Sequence, residues 1–343
     1  MGLLAPILLR IVKMKIGVFS CKPYDREFLS ARNNNFGFEL EFLDCSLNNE
    51  TVELARPFDA VSVFVNDVID ETVLKALQSF DIHHVALRCA GFNNIDLDQA
   101  RKLGIGVSRV PSYSPESVAE HTVALILALN RKLIKASSRV LNNNFELDGL
   151  LGFNLRCKTI GIVGTGAIGK RLVDILTGFG CRILCSDPKP SKDIVAMGHQ
   201  YVSLENLIKE SDVISLHCPL NANTQHMIDH SAVQNMKDQV MLINTSRGGL
   251  VNTQAIVSGL KSGKIGYLGL DVYEMESELT NTDLVCETIS DDTFQRLGTF
   301  PNVLITVHQG FFTVESLQQS ADTTLQNLQY YFAGKVCDET FLS

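Results

Sequence analysis

The sequence predicts an α/β protein made of two doubly wound parallel-sheet domains with a cleft between them. Short apolar strands alternate with helical patterns in two separate series along the chain, which is the signature of parallel sheets covered by helices. A turn-rich break at residues 112–115 separates the two series. The chain has 343 residues, of which 45% are hydrophobic and 20% charged, so it is long enough for two cores.

The first series begins at Lys15 and contains five β-branched or aromatic runs, which predict five strands. These runs are KIGVFS, ELEFLD, AVSVFV, VALRC and IGVSRV. Helix-forming residues lie between them, at 70–78 and 97–102, as the alternation of strand and helix requires.

A helix is expected to begin at the break. Ser114 can cap free amides and Pro115 is preset for a first helical turn. The apolar pattern predicts that this helix continues through Asn130 and beyond, and that it links the two domains.

The second series predicts six buried parallel strands, followed by a helix over 314–332 that returns to the first domain. The strand runs are TIGIV, RILCSD, VISLHC, VMLIN, YLGLD and VLITV. We therefore expect one domain from residues 14–113 and 310–343, and the other from 114–309. Residues 1–13 form an apolar extension, which is interpreted as a targeting segment, a start ahead of Met14 or a cloning remnant.

Charge and composition exclude several classes of protein. A net charge of -8 and the lack of a long basic run argue against nucleic-acid binding. The longest central apolar stretch, 122–129, is far shorter than the ~20 residues that cross a bilayer. Nine cysteines without a CxxC pair indicate reduced thiols, and hence the cytoplasm.

A glycine-rich turn follows the strand TIGIV. Gly164, Gly166 and Gly169 form G-T-G-A-I-G between a strand and a helix, where such glycines permit a tight turn, approach to a pyrophosphate and close helix packing. Asp187 ends the next strand, at the position of an acid that binds an adenosine ribose. The sequence thus predicts a Rossmann domain that prefers NAD to NADP.

Ionisable residues follow three later strands of this series. Arg247 follows VMLIN, Asp271 ends YLGLD, and His308 follows VLITV. Ligands of open parallel sheets bind at the carboxyl ends of strands, so these residues are expected to converge. An arginine suits a carboxylate and a histidine suits proton transfer, which together predict reduction of a 2-keto acid. The partner of the histidine is left open between Glu274 and Glu276, and each residue taken alone is more often structural.

These motifs, with L-D-V-Y-E-M-E and V-H-Q-G-F, resemble the D-specific 2-hydroxyacid dehydrogenase family from about Met14 to the C terminus. The resemblance implies a flavodoxin-like substrate domain beside the Rossmann domain. It implies a catalytic set of Arg247, Glu276 and His308. It also implies a homodimer through the nucleotide domain, or a homotetramer. The further NAD contacts that it implies are Ala167, Ile168, Cys218, Pro219, Thr224, Thr245 and Asp271.

Within this family, the segments L-R-C-A-G-F-N-N-I-D and V-P-S-Y-S-P resemble those of fermentative D-lactate dehydrogenases. They imply that the Ala90 and Gly91 amides and the Tyr113 hydroxyl contact pyruvate. The run Gly310-Phe311-Phe312 departs from the usual pattern, in which alanine stands first and the third residue varies. Its aromatic bulk favours a small pocket, which suits pyruvate, or a shift towards phenylpyruvate. Glyoxylate or hydroxypyruvate reduction, and an NADH-sensing corepressor, are the alternatives. No metal site is expected.

Overall fold

A computed structural model describes residues 13–275 and 289–342. The chain divides into two compact units, one formed by residues up to Ser114 and from Thr313 onwards, the other by Pro115–Phe312. Each unit is built around its own parallel sheet, as the sequence predicts.

The first unit holds the five predicted strands in the order β2-β1-β3-β4-β5, all parallel, which is the flavodoxin-like order. Its elements are β1 (Lys15–Val18), α1 (Pro23–Asn33), β2 (Glu39–Phe42), β3 (Ala60–Val63), α2 (Glu71–Ser79), β4 (His84–Leu87), α3 (Leu97–Leu103) and β5 (Gly106–Arg109). Every residue of β3 and β4 is buried, because helices cover both faces of the sheet.

The second unit begins with the predicted helix and continues into a seven-stranded parallel sheet. Its elements are α4 (Pro115–Asn130), α5 (Leu133–Leu141), β6 (Thr159–Val163), α6 (Ala167–Gly178), β7 (Arg182–Ser186), α7 (Lys192–Ala196), β8 (Gln200–Tyr201), α8 (Leu204–Glu210), β9 (Val213–Leu216), α9 (His230–Asn235), β10 (Val240–Asn244), α10 (Thr253–Ser262), β11 (Ile265–Leu270), α11 (Asp292–Gly298) and β12 (Val303–Ile305). The strand order is β12-β11-β10-β9-β6-β7-β8, which is the Rossmann order with one added strand.

Two features of the second unit differ from the sequence prediction. The two-residue strand β8 was not predicted, because it is too short to show a pattern. The strand β12 was predicted to be buried, but all three of its residues are only partly buried, since it forms an edge of the sheet.

The chain returns to the first unit through α12 (Val314–Phe332), a helix with the predicted bounds. Its buried face packs on Ile16, Val18 and Leu29. The residues after it add an antiparallel bridge, Ser108 to Phe341, to the edge of β5. Arg109 N donates to Thr340 O at 2.8 Å, and Leu342 N donates to Val107 O at 2.7 Å, so this tail covers the edge strand.

Candidate active site

The glycine turn of the second unit lies between β6 and α6. Gly164 has a φ of +92°, and a Cβ there would lie 2.6 Å from the amide nitrogen of Cys218. A Cβ on Gly169 would lie 2.0 Å from the Gly164 carbonyl oxygen. A Cβ on Gly166, by contrast, would meet nothing within 4 Å. Packing therefore requires the first and third glycines, while the second leaves open space beside the turn.

The amino end of α6 is suited to an anion. Its N-cap residue is Gly166, whose lack of a side chain leaves the first amides of the helix without a side-chain cap. Ala167 and Ile168 form the first turn of this helix, where free amides and the helix dipole favour phosphate. The turn thus fits a dinucleotide pyrophosphate.

Asp187 lies immediately after β7, beside the glycine turn. One carboxylate oxygen accepts a hydrogen bond from Thr165 N at 2.7 Å, and the other accepts one from Lys189 N at 2.7 Å. Thr165 is held in addition by a hydrogen bond of 2.8 Å between its hydroxyl and that of Tyr201. Each carboxylate oxygen retains acceptor capacity, so a fixed Asp187 can also receive ribose hydroxyls.

Arg247 is positioned by a turn that Asn244 organises at the end of β10. The Asn244 side chain donates to Arg247 O at 2.9 Å and accepts from Ser246 N at 3.1 Å. Arg247 itself donates to Ser246 O at 2.7 Å and is partly exposed. Among residues 13–275 and 289–342, no carboxylate lies within ion-pair distance of this guanidinium, so no ion pair within these ranges neutralises its charge.

The glycine after Arg247 is required by close packing. A Cβ on Gly248 would lie 2.1 Å from the carbonyl carbon and oxygen of Tyr273. The segment that follows β11 therefore presses directly against the arginine turn, and any larger residue would separate them.

His308 follows β12 in a left-handed backbone conformation, with a φ of +55°. Three consecutive amides bind one residue: His308 N donates to Asp271 O at 2.8 Å, and Gln309 N and Gly310 N donate to the two carboxylate oxygens at 2.9 and 2.8 Å. Such a conformation is unfavourable for a residue with a Cβ and persists where the surroundings fix it. Asp271 supplies that restraint.

The carboxylate of Asp271 is almost fully buried, at 2% exposure. Burial alone would raise its pKa, but hydrogen bonds from His121, Thr306 and the Gln309 and Gly310 amides lower the pKa to about 2. The distance from Thr306 Oγ1 is 2.5 Å, and His121 Nε2 lies 3.3 Å away. Asp271 is thus a permanent anion at the centre of this turn.

Glu274, one of the two candidate partners of the histidine, is engaged elsewhere. It accepts hydrogen bonds from the Thr253 hydroxyl at 2.6 Å and from His226. Burial tends to raise its pKa, but these contacts lower it overall. These hydrogen bonds hold Glu274 against Thr253 and His226. Glu276 lies outside the described residues, and its assignment stays a prediction.

The other predicted cofactor residues lie at the ends of β9 and β10. The Ser246 hydroxyl donates to Cys218 O at 2.8 Å, and the Thr224 hydroxyl donates to Pro219 O at 2.7 Å. The buried hydroxyl of Thr245 lies 2.9 Å from that of Thr122. Burial raises the pKa of the Cys218 thiol to about 11, so this thiol stays neutral.

In the first unit, the loop after β4 presents two amides. Across the described part of the chain, Ala90 N and Gly91 N have no hydrogen-bond partner. The Ala90 carbonyl, in contrast, accepts from Arg109 Nη1 at 2.8 Å. Asn94 fixes the far end of the loop by donating to Phe64 O at 2.9 Å. Two adjacent free amides can bind an anion.

Tyr113 is partly exposed and lies just before α4. The sequence reasoning did not identify Asn244 or Arg109, and it regarded Asp271 chiefly as a cofactor contact. A polar residue that ends a fully buried strand, as Asn244 does in VMLIN, was the available signal.

Within the described ranges, no helix is long and apolar enough to cross a membrane. Those same ranges contain no cluster of three or more His, Cys, Asp or Glu that could hold a metal ion.

Comparison with known proteins gives this geometry a context. Residues 123–310 match the family model described as D-isomer specific 2-hydroxyacid dehydrogenase, NAD binding domain. A protein of Escherichia coli (strain K12) described as D-lactate dehydrogenase is 48% identical over 324 residues, which cover 94% of this chain and 98% of that protein.

Solved structures of related proteins are similar to this chain in both fold and sequence. The apo-structure of D-lactate dehydrogenase from Escherichia coli has a TM-score of 0.89 and 46% identity, covering 96% of this chain and 100% of the other. The pyruvate reductase of Chlamydomonas reinhardtii has a TM-score of 0.90 and 43% identity, covering 94% and 98%. D-Lactate dehydrogenase from Aquifex aeolicus, solved with NAD and lactic acid, has a TM-score of 0.85 and 34% identity, covering 95% and 98%.

Proposed function

The chain belongs to the D-isomer specific 2-hydroxyacid dehydrogenase family, and on that premise we propose that it is an NAD-dependent D-lactate dehydrogenase. It would reduce pyruvate to D-lactate reversibly. The observation that carries the proposal is that Arg247, Asp271 and His308 follow three adjacent strands, β10, β11 and β12. Arg247, a cation suited to the substrate carboxylate, and His308, suited to proton transfer, thus both follow the carboxyl ends of strands in the same sheet.

The second unit is the proposed NAD-binding domain. The uncapped end of α6 and the space at Gly166 suit the pyrophosphate, and Asp187 suits the ribose. When bound, NADH supplies the hydride. The residues proposed to contact the cofactor are Gly164, Gly166, Ala167, Ile168, Gly169, Asp187, Cys218, Pro219, Thr224, Thr245 and Asp271.

The first unit is the proposed substrate domain. The Ala90 and Gly91 amides would bind the substrate carboxylate. In the second unit, the planar guanidinium of Arg247 suits two parallel hydrogen bonds to a carboxylate. The Tyr113 hydroxyl would also contact the substrate.

Protonated His308 would donate its proton to the oxygen of the ketone as the alkoxide forms. Glu276 would hold the imidazole by a hydrogen bond and stabilise the positive charge that it carries before the transfer. Asp271 would fix the backbone turn that carries this imidazole, through its hydrogen bonds with the amides of residues 308–310.

The test is steady-state NADH oxidation with pyruvate, glyoxylate, hydroxypyruvate and phenylpyruvate. We expect the highest kcat/KM with pyruvate. His308→Gln should lower kcat by about 10²- to 10⁴-fold, the usual contribution of a general acid, while the thermal shift induced by NADH is retained. His230→Gln is the matched control, because His230 is exposed on α9. NADH binding without turnover of any keto acid would favour the NADH-sensing regulator instead.

The proposed protein partner is a second copy of this chain. Helix α5 buries none of its residues, and apolar side chains on it and after it are largely exposed, for example Leu141 at 82% and Leu147 at 81%. An apolar cavity of about 460 Å³ opens beside α5, lined in part by Ile134, Tyr267 and Phe300. Apolar surface of this extent commonly marks an interface.

We expect a homodimer, or a homotetramer of two such dimers. Light scattering should show that Leu141→Asp with Leu147→Asp shifts the protein towards monomer. The control is Val195→Asp, since Val195 is 53% exposed on α7. Helix α7 packs on β8, at the opposite edge of the sheet from β12, which lines this cavity. A monomeric wild type would contradict the assembly.

The proposed compartment is the cytoplasm. All eight cysteines that the structure describes are free thiols, which is typical of a reducing environment.

A further inference from the structure

The loop that carries the Ala90 and Gly91 amides is held from behind by Arg109, the last residue of β5. We infer that Arg109 is a positioning residue for the substrate carboxylate: it fixes and polarises the peptide whose amide would bind the carboxylate. The inference rests on the proposed function, since it assigns a role to the same substrate loop.

The geometry of one peptide group supports this role. Arg109 Nη1 donates to the Ala90 carbonyl oxygen at 2.8 Å. The peptide between Ala90 and Gly91 is trans, because no cis peptide bond occurs in the described ranges. In a trans peptide the carbonyl and the following N–H point in opposite directions. Arg109 therefore orients the Gly91 N–H away from itself, on the side where no group of the described residues accepts it.

The charge of Arg109 adds to this orientation. No carboxylate of the described chain lies within ion-pair distance of its guanidinium, so the positive charge is directed at the Ala90 carbonyl. Hydrogen bonds polarise one another in chains, and a cation at the carbonyl end makes the N–H at the other end a stronger donor. An anion bound by Gly91 would thus be stabilised by a cation that it does not touch.

The backbone of Arg109 is held by hydrogen bonds to two other segments, and its side chain lies on the substrate loop. Its guanidinium carbon lies 5.1 Å from the centre of the Phe92 ring, on the same loop. Its carbonyl accepts from the Asn327 side chain at 3.0 Å, and its amide donates to Thr340 O at 2.8 Å. Its buried Nε has no hydrogen-bond partner in the described chain. Within the described chain, the one hydrogen bond of the guanidinium is therefore with the Ala90 carbonyl, in the loop that carries the Ala90 and Gly91 amides.

The experiment compares Arg109→Met, which keeps the apolar stem, with Arg109→Lys, which keeps a cation. For Arg109→Met we expect the KM for pyruvate and the Kd of oxamate to rise by about tenfold or more, as for loss of one hydrogen bond to a charged group. kcat and NADH affinity should stay within about threefold of wild type. Arg109→Lys should show a smaller change in the same direction.

Arg101→Met is the matched control, since Arg101 is an exposed arginine of the same unit that pairs with Asp98. Wild-type KM and oxamate affinity in Arg109→Met would overturn the inference and leave the proposed function intact. A fall in kcat and NADH affinity, together with a lower Tm, would also overturn it, because the role would then be general stability. Should Arg109→Met not fold, Arg109→Lys decides, and an unchanged KM there refutes the inference. Failure of the proposed function is distinguishable, since wild type itself would then not reduce pyruvate.

Discussion

His84 is predicted to make the folded protein sensitive to mild acid. The imidazole is fully buried in the first unit, where its Nε2 lies 2.9 Å from the Ser108 hydroxyl. The ring stacks on Tyr331, with 4.3 Å between the ring centres. Burial lowers the pKa of His84 from 6.5 to about 3. Burial is the cause of this shift, and no charged group of the described residues offsets it, so the histidine stays neutral in the folded state.

The direction of this pH dependence follows from the pH at which His84 takes up a proton in the folded and in the unfolded state. The unfolded chain protonates His84 near its ordinary pKa of 6.5, whereas the folded protein does so only near 3. The contribution of His84 to the free energy of unfolding is therefore fully present above pH 6.5, and it is lost as the pH falls from 6.5 towards 3. Between pH 7 and pH 5 the free energy of unfolding should fall by about 2 kcal/mol on account of His84 alone.

The assay is urea unfolding followed by far-ultraviolet circular dichroism, because the chain has no tryptophan to report fluorescence. Wild type and His84→Phe are compared at pH 7 and pH 5. The variant should lose about 2 kcal/mol less than wild type over this interval. Other titratable groups contribute equally to the pH dependence of both proteins, so their contributions cancel in the difference. One such group is Asp67: burial raises its pKa, and its contribution to the pH dependence therefore has the opposite sign to that of His84.

Equal pH dependence in the two proteins would refute the reasoning. A second histidine, His217, is half-buried in the other unit and offers an independent check. Burial lowers the pKa of His217 to about 4, and its Nε2 lies 2.7 Å from the Ser215 hydroxyl. His217→Gln should reduce the acid sensitivity by a similar amount.

Three further predictions concern the cofactor and the substrate. Asp187→Ser should raise the KM for NADH by about tenfold and reduce the preference of the enzyme for NADH over NADPH, both measured at saturating pyruvate. An unchanged preference would contradict the proposed role of Asp187. Gly169→Ala should abolish the NADH-induced thermal shift, because its Cβ would lie 2.0 Å from the Gly164 carbonyl oxygen; a normal shift would show that the turn can relax. Phe311→Ala should raise kcat/KM for phenylpyruvate relative to pyruvate, whereas Phe312→Ala, at a side chain 48% exposed, should not; equal effects would place both rings in the pocket.

Local pattern accounts for most of the fold. The predicted strands and the helix over 314–332 were confirmed because each carries a clear apolar period or is enclosed by turn residues. The predicted extension of α4 beyond Asn130 was wrong, because Lys132 adopts a φ of +49° and a separate helix follows. The tail that covers β5 was not predicted, since it depends on pairing between residues far apart in the chain.

The candidate site was predictable in its residues and less so in their connections. Strand-end position alone identified Arg247, Asp271 and His308. The contacts between Asp271 and the amides of residues 308–310 span 37 residues or more, and no local pattern records them. The left-handed conformation of His308 was equally hidden, because glycine is the residue that usually signals it.

The left-handed backbone at His308 means that the residue best for stability at this position differs from the residue proposed to be needed for activity. Glycine adopts a φ near +55° without a steric penalty, whereas a side chain there costs on the order of 1 kcal/mol or more. A procedure that ranks substitutions by folding free energy alone would thus select glycine at position 308 and remove the proposed proton donor. Thermostability engineering of this protein should therefore leave position 308 unchanged and look for its gains elsewhere in the chain.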